Sequence, residues 1–280
     1  MTRPQVLSLP ERMPHDPIVT GKGVCMAFVD LGFYAHPDLV QPTGRIRSYV
    51  DVTRAKPLPR DLATPRGSSW HGTMTACSAL GSGYLSGGRY RGLASDAEAV
   101  LIKVGAGESP RVVGTHVAAG IRVAVANPEL GIRIVSVSLG VGKDDPDHDD
   151  VLLAVEEANH AGVTVFAAAG NDPRSPPDAP GSSPLAITVG GIDDGNDADP
   201  RTTTLYGSSH ADGPSPKPEL LAPATMLPAP MLPGTLIGRE SHAIFDLLAV
   251  LEEERADETF ARLAGVKLPA DQCDTLKSLL

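Results

Sequence analysis

Five short apolar runs recur along the chain, and each ends at a glycine or a turn. They lie at 23–32, 98–105, 132–140, 162–171 and 185–193. Each run is apolar on both alternating sets of positions, which is typical of strands buried on both faces of a parallel sheet. Segments with helical spacing separate them, at 71–83, 111–129 and 147–162. This alternation predicts an α/β fold with a doubly wound, mostly parallel sheet flanked by helices.

The composition changes after the last apolar run. Residues 194–233 carry a dense set of prolines and other loop-forming residues, whereas 240–280 has the spacing of two or three amphipathic helices. We therefore divide the chain into an N-terminal extension (1–20), a main domain (21–235) and a helical insertion or C-terminal segment (236–280).

Charge and composition exclude several classes of protein. The chain has 280 residues and a formal net charge of -10, so neither nucleic acid nor an anionic membrane is expected as the main partner. Its three cysteines show no metal-type spacing, so we expect no structural metal site. The polar, proline-broken N-terminus does not resemble a signal peptide, and no segment is long enough to span a membrane. The sequence is typical of a cytoplasmic protein.

Three polar residues stand at or next to predicted strand ends, where sites form in α/β sheets. Taken singly, Asp30 could be a turn or cap residue, His71 a structural histidine and Asn171 a turn asparagine. Taken together, they supply an acid that orients a base, a base that accepts a hydroxyl proton, and an amide that donates to an oxyanion. These groups form most of a serine-hydrolase site.

The segments around these residues follow one another in a characteristic order. They are 24–39 (VCMAFVDLGFYAHPDL), 71–83 (HGTMTACSALGSG), 92–104, 134–140 (IVSVSLG), 163–172 (VTVFAAAGND), PLAITVGGID and KPELLAPA. In sequence and order they resemble the subtilisin-like serine proteases, the subtilase or peptidase S8 family. The resemblance extends from about Gly21 to Ala224, and several motifs in the right order are more specific than any one of them.

The resemblance implies a subtilisin-like catalytic domain that hydrolyses peptide bonds of a polypeptide substrate. It assigns Asp30 as the acid that fixes the imidazole, His71 as the general base and Asn171 as the oxyanion donor. It assigns the backbone of Ser138, Leu139 and Gly140 to pairing with an extended peptide. Asp30 should then accept a hydrogen bond from one ring nitrogen of His71, which leaves the other nitrogen facing the nucleophile.

The nucleophile of the family does not appear in this chain. In the family it lies in Gly-Thr-Ser, at the start of a helix, followed by small residues and a proline. Here Leu236 follows Gly234-Thr235. Ser241 is a weak candidate, because no Gly-Thr precedes it and Glu240 beside it would disfavour an oxyanion. A helix N-cap is the alternative role for Ser241.

Three explanations of the missing serine remain open. In the first, which we favour, residues 236–280 interrupt the domain and the nucleophile lies beyond residue 280. In the second, the chain is an inactive pseudoprotease that binds peptides or a protein partner. In the third, a divergent site uses Ser241. A different hydrolase, such as an esterase, is a further alternative, which the extended-peptide segment 134–140 argues against.

Two acidic loops, 143–150 and 193–200, raise the question of calcium, which subtilisin-like proteins often hold. Neither loop matches a defined calcium motif, and solvated turns are the favoured interpretation. We therefore expect no required cofactor, with calcium as an additional candidate ligand.

Overall fold

The computed structural model describes residues 6–54, 58, 60–107 and 111–252, with the backbone alone at 248–252. The chain divides into two compact units, Met1–Pro230 and Met231–Leu280. The first unit contains the sheet and is described first.

Eight strands of the described residues form one sheet. They are β1 (Cys25–Asp30), β2 (Ile46–Asp51), β3 (Glu98–Lys103), β4 (Ile132–Val137), β5 (Thr164–Ala168), β6 (Ile187–Asp193), β7 (Thr204–Leu205) and β8 (Leu220–Pro223). The strand order is β2-β3-β1-β4-β5-β6-β7, and β8 also pairs with β6. All pairs are parallel except β6 with β7. The five predicted strands are present, and the predicted mostly parallel α/β sheet is confirmed.

The described part of the chain contains seven α-helices. They are α1 (Leu9–Arg12), α2 (Pro37–Val40), α3 (Arg60–Ala63), α4 (Trp70–Leu80), α5 (Gly114–Ala126), α6 (His148–His160) and α7 (Leu236–Glu252). The three helices predicted between the strands correspond to α4, α5 and α6. None of the helices that the structure describes is both long enough and apolar enough to cross a membrane.

The second unit is described through α7. This helix begins at Leu236, four residues before the helical stretch predicted from Glu240 onward. The remainder of that prediction, 253–280, lies outside the described residues.

The apolar core of the first unit forms two clusters, and alternate residues of β1 belong to different ones. Ala27 and Val29 pack in the cluster that includes α5 and α6. Phe28 packs in the cluster that includes Ala76 and Leu80 of α4. Because successive strand side chains point to opposite faces, Asp30 lies on the α4 face with Phe28. This alternation directs the terminal carboxylate of β1 towards α4.

The region before residue 21 is joined to the rest of the first unit by a buried ion pair. Arg12 donates to both carboxylate oxygens of Asp194, at 2.8 Å from Nε and 2.5 Å from Nη2. It also donates to the carbonyl oxygens of Met226 and Thr225. The Arg12 side chain is 0% exposed. The sequence predicted an extension here, without these contacts.

Candidate active site

Asp30 ends β1 and is 1% exposed. A buried carboxylate needs compensating hydrogen bonds, because its charge is otherwise strongly disfavoured away from water. The backbone N–H of Leu31 donates to Oδ1 at 2.7 Å. The other donor comes from α4, whose second residue is His71.

His71 and Asp30 form the hydrogen-bonded pair predicted from the sequence. Nδ1 of His71 lies 2.9 Å from Oδ1 and 2.8 Å from Oδ2 of Asp30. An ionised carboxylate can only accept, so Nδ1 carries the proton and donates it. The His71 side chain is 40% exposed, and no hydrogen bond to its Nε2 is present among the described residues. The basic nitrogen of the neutral ring therefore faces away from Asp30 and is open to a reactant.

The electrostatics of this pair favour a charged imidazole. The hydrogen bond that His71 donates to Asp30 raises the pKa of His71, burial opposes the rise, and the negative charge of Asp30 adds to it. A raised pKa makes His71 a stronger proton acceptor than an ordinary histidine, which suits a general base acting near neutral pH.

A close approach of α4 to the end of β1 sets this geometry. A Cβ atom at Gly72 would lie 2.4 Å from the Gly32 carbonyl oxygen, 2.8 Å from the Phe33 ring and 2.9 Å from Cβ of Asp30. Only a residue without a side chain fits this contact. Gly72 thus lets α4 carry His71 to within hydrogen-bond distance of Asp30.

Thr73 ties the loop after β1 to the same helix. Its hydroxyl donates to the Ser69 carbonyl oxygen at 2.6 Å and accepts from the backbone N–H of Tyr34 at 2.9 Å. Thr73 is 0% exposed. These bonds hold the segments on either side of Asp30 and His71 together. The sequence signal for this role is the threonine of the segment His-Gly-Thr, at 71–73.

Residues 138–140 follow β4, which lies between β1 and β5 in the sheet. Val137 is in register with Val29 on one side and with Ala167 on the other. Outside the strand ladders, the described residues make no hydrogen bond to the backbone of Ser138, Leu139 or Gly140. Their N–H and C=O groups are therefore available to an extended ligand.

Asn171 comes three residues after β5, so it lies at the same carboxyl edge of the sheet as Asp30. Its side chain is exposed, and in the described part of the chain no group hydrogen-bonds to it. Ser209 supports the turn beside it. The Ser209 N–H donates to the Gly170 carbonyl oxygen at 3.1 Å, and its hydroxyl accepts from the Asp172 N–H at 3.3 Å.

Gly170 and Ser209 also make a close contact. Gly170 has a φ of +97°, and a Cβ there would lie 2.8 Å from the Ser209 hydroxyl oxygen. Ser209 thus supports the turn that carries Asn171.

The structure corrects the alternative role given to Ser241. This residue lies in the second turn of α7, because the helix already begins at Leu236. A serine inside a helix cannot be its N-cap, so that interpretation was wrong. Leu236, which follows Gly234-Thr235, is the residue at the helix start.

Two carboxylates of the acidic segment 143–150 have protein partners. Asp147 accepts from the backbone and hydroxyl of Thr115, both at 3.1 Å. Asp150 forms a two-point ion pair with Arg122. The described residues contain no group of three or more His, Cys, Asp or Glu side chains placed to hold a metal ion. The expectation of no required cofactor, with calcium as a candidate ligand, stays a prediction.

Comparison with known proteins adds an independent line of evidence. Residues 21–254 match the Subtilase family. The chain is similar to serine protease AprX of Bacillus subtilis (strain 168), with 33% identity over 278 residues that cover 94% of this chain and 58% of the relative. It is also similar to a cuticle-degrading serine protease of Arthrobotrys oligospora, with 28% identity over 68% of this chain and 42% of that protein.

A solved structure shows the same architecture. Sphericase matches with a TM-score of 0.62 and 27% identity, over 77% of this chain and 71% of that chain. The chain spans 58% and 42% of the length of the two relatives above, so it corresponds to about half of each.

Proposed function

The chain belongs to the subtilase family, and on that premise we propose that it is part of a serine-type endopeptidase that hydrolyses peptide bonds of polypeptides. The observation that carries the proposal is the Nδ1 contact of His71 with buried Asp30, at 2.8 Å. In a subtilase, an acid and a base in this arrangement activate a serine hydroxyl.

The role of each residue follows from its place at the carboxyl edge of the sheet. His71 accepts the serine proton on Nε2, while Asp30 fixes the ring and stabilises the imidazolium that forms. His71 then donates this proton to the leaving amine. Asn171 donates its side-chain amide to the oxyanion of the tetrahedral intermediate. The backbone of Ser138, Leu139 and Gly140 pairs with the substrate as an added strand.

We place the nucleophile in sequence beyond residue 280. Residues 1–280 contain no Gly-Thr-Ser segment, and Ser241 lies inside α7 without the neighbours that the family's serine has. Residues 236–280 would then be an insertion between the segment KPELLAPA and the serine segment.

One observation favours a second candidate function, a pseudoprotease that binds peptides without cleaving them. Gly234-Thr235 directly precedes α7, and the family match continues through that helix to residue 254. If α7 replaces the family's serine helix, Leu236 occupies the position of the nucleophile. The base would then have no hydroxyl to activate.

A fluorophosphonate probe separates the two functions, because it labels only an activated serine. The probe is applied to the 280-residue chain and to the longer gene product that the proposal requires, in which the chain continues beyond residue 280. Each is tested with His71→Ala and with the control His160→Ala. His160 is exposed at the end of α6, far along the chain from the pair. We expect labelling of the longer product that His71→Ala abolishes and His160→Ala retains. Labelling of neither form would exclude the endopeptidase.

A further inference from the structure

A cavity of about 220 Å³ lies beside the Asp30–His71 pair in the first unit. Its wall includes Gly32, two residues after Asp30, and Ser69, two residues before His71. The two segments are in close contact, since a Cβ at Gly32 would lie 3.0 Å from the carbonyl oxygen of Ser68 and 3.6 Å from Cα of Ser69. The cavity and the pair therefore share the loop after β1 and the segment that leads into α4.

The wall of this cavity is rich in cationic side chains. Among the lining residues that the structure describes, the basic ones are Arg54, Arg60, Arg66 and Lys103, and the acidic one is Asp61. Asp61 is shared between two guanidinium groups. Its Oδ2 lies 3.4 Å from Nη1 of Arg54 and its Oδ1 lies 3.9 Å from Nη2 of Arg66.

A second carboxylate lies behind the wall. Asp51, the last residue of β2, is buried and accepts a hydrogen bond from Nζ of Lys103 at 2.7 Å. It also lies 3.8 Å from Nε of Arg54. Four cationic side chains thus face two carboxylates, which leaves two positive charges without a matching negative one among these residues.

The guanidinium groups remain accessible to a ligand. The side chains of Arg54 and Arg66 are 42% and 48% exposed. Arg60 is exposed as well, and within the described ranges no carboxylate lies within 4.0 Å of its guanidinium group. The net charge of the chain is negative, but remote charges are screened over about 8 Å at physiological ionic strength. The local charge of the cavity therefore decides which ligand it attracts.

Resting on the proposed function, we propose that this cavity binds the carboxylate of an aspartate or glutamate side chain of the polypeptide substrate. Planar guanidinium groups match the two oxygens of a carboxylate and bind it more strongly than they bind a neutral amide. Arg60 and Arg66 are the residues that make this selection. The shared walls place the acidic side chain next to the substrate backbone that reaches His71.

Matched peptides test this selection on the 280-residue chain, without any need for cleavage. Six rhodamine-labelled alanine hexapeptides carry one glutamate at successive positions, and six partners carry glutamine instead. Binding is followed by fluorescence anisotropy at low salt. We expect a glutamate peptide of one register to bind about tenfold more tightly than its glutamine partner, the scale of a hydrogen bond to a charged group.

Substitutions show whether the cavity causes the preference. Arg60→Gln and the double variant Arg60→Gln/Arg66→Gln should reduce and then abolish it. The single variant removes an exposed side chain, so it keeps the test valid if the double variant fails to fold. Arg201→Gln is the matched control, since Arg201 is an exposed arginine paired with Asp199 near β7. The strands β2 and β7 end the strand order on opposite sides. This control should keep the preference.

Three results would overturn the proposal. They are equal binding of glutamate and glutamine peptides, no binding of any peptide, and a preference that survives in the double variant. Inorganic phosphate is titrated separately. If it bound more tightly than every peptide and required Arg60 and Arg66, the cavity would be a site for free anions.

The peptide-binding experiment and the fluorophosphonate experiment can fail independently, so failure of the cavity proposal differs from failure of the proposed function. Fluorophosphonate labelling of the longer gene product without a glutamate preference would remove the cavity assignment and leave the endopeptidase intact. A glutamate preference without any labelling would support the cavity and point to the peptide-binding pseudoprotease.

Discussion

Nδ1 of His71 lies within 2.9 Å of both carboxylate oxygens of Asp30, and only the histidine of this pair is substantially exposed. Asp30 is therefore shielded from solvent while the far side of the imidazole is open. This asymmetry suits a pair in which one partner orients and the other exchanges protons.

The first prediction concerns the pKa of His71. The Asp30 hydrogen bond raises the pKa above the ordinary value of about 6.5. The hydrogen bond therefore stabilises the folded state below about pH 6.5. This stabilisation is lost as pH rises through the pKa of His71 in the folded state. Asp30→Asn should lower the pKa of His71, since burial then dominates. Histidine ring NMR titration measures this, with Asp149→Asn as the control. An unchanged pKa in Asp30→Asn would contradict the account.

The second prediction concerns the contact of α4 with the loop after β1. Gly72→Ala places a methyl group 2.4 Å from the Gly32 carbonyl oxygen, so it should reduce the free energy of unfolding by about 1–3 kcal/mol or more. Gly67→Ala is the control, because no atom lies within 4 Å of a Cβ at that position. Urea unfolding compares the two variants. Equal stabilities would show that the close approach has no energetic effect.

The third prediction concerns Arg12. Arg12→Gln leaves Asp194 buried without its cationic partner, which should cost about 3–5 kcal/mol of unfolding free energy at neutral pH. The Arg12 hydrogen bond lowers the pKa of Asp194. The ion pair therefore stabilises the folded state above the pKa that Asp194 has in the unfolded chain. This stabilisation is lost as pH falls through the pKa of Asp194 in the folded state. The loss of unfolding free energy caused by Arg12→Gln should therefore become smaller below about pH 4.

Urea unfolding at several pH values measures the effect of Arg12→Gln. Arg201→Gln, which removes an exposed ion pair, should change stability by less than about 1 kcal/mol. If Arg12→Gln were equally mild at neutral pH, the buried ion pair would not be what holds the region before residue 21 to the rest of the first unit.

The fourth prediction concerns Asn171. In the longer gene product, Asn171→Ala should lower kcat by about 10²–10³-fold with little change in KM, the scale for loss of one oxyanion donor. Asn159→Ala, an exposed asparagine of α6, should leave kcat unchanged. Peptide hydrolysis kinetics measure both. A fall in kcat/KM that came from KM alone would assign Asn171 to substrate binding.

The five central strands could be predicted because each carries apolar residues on both faces. The edge strand β2 could not, since its sequence IRSYVD alternates with polar residues and one side of it has no strand partner. The short strands β7 and β8 could not be predicted either, because they lie in a proline-rich region whose composition is typical of loops.

Parts of the candidate site could also be predicted, because a carboxylate after a buried apolar strand and a histidine before a small-residue helix are local signals. These signals singled out Asp30 and His71, and the resemblance to the subtilisin-like proteases implied that they pair. The cationic cavity could not be predicted. Arg60 and Lys103 are 43 positions apart in the sequence, and only the folded sheet brings both to the wall of this cavity. Ser209, which supports the Asn171 turn, likewise depends on a contact distant in sequence.

The identity of the fluorophosphonate-labelled serine tests the central claim most directly. The longer gene product is labelled, digested and analysed by mass spectrometry, with His71→Ala in parallel. We predict one modified serine beyond residue 280, within a Gly-Thr-Ser segment, and no modification when His71 is replaced. Modification at Ser241, or labelling that persists without His71, would contradict the account.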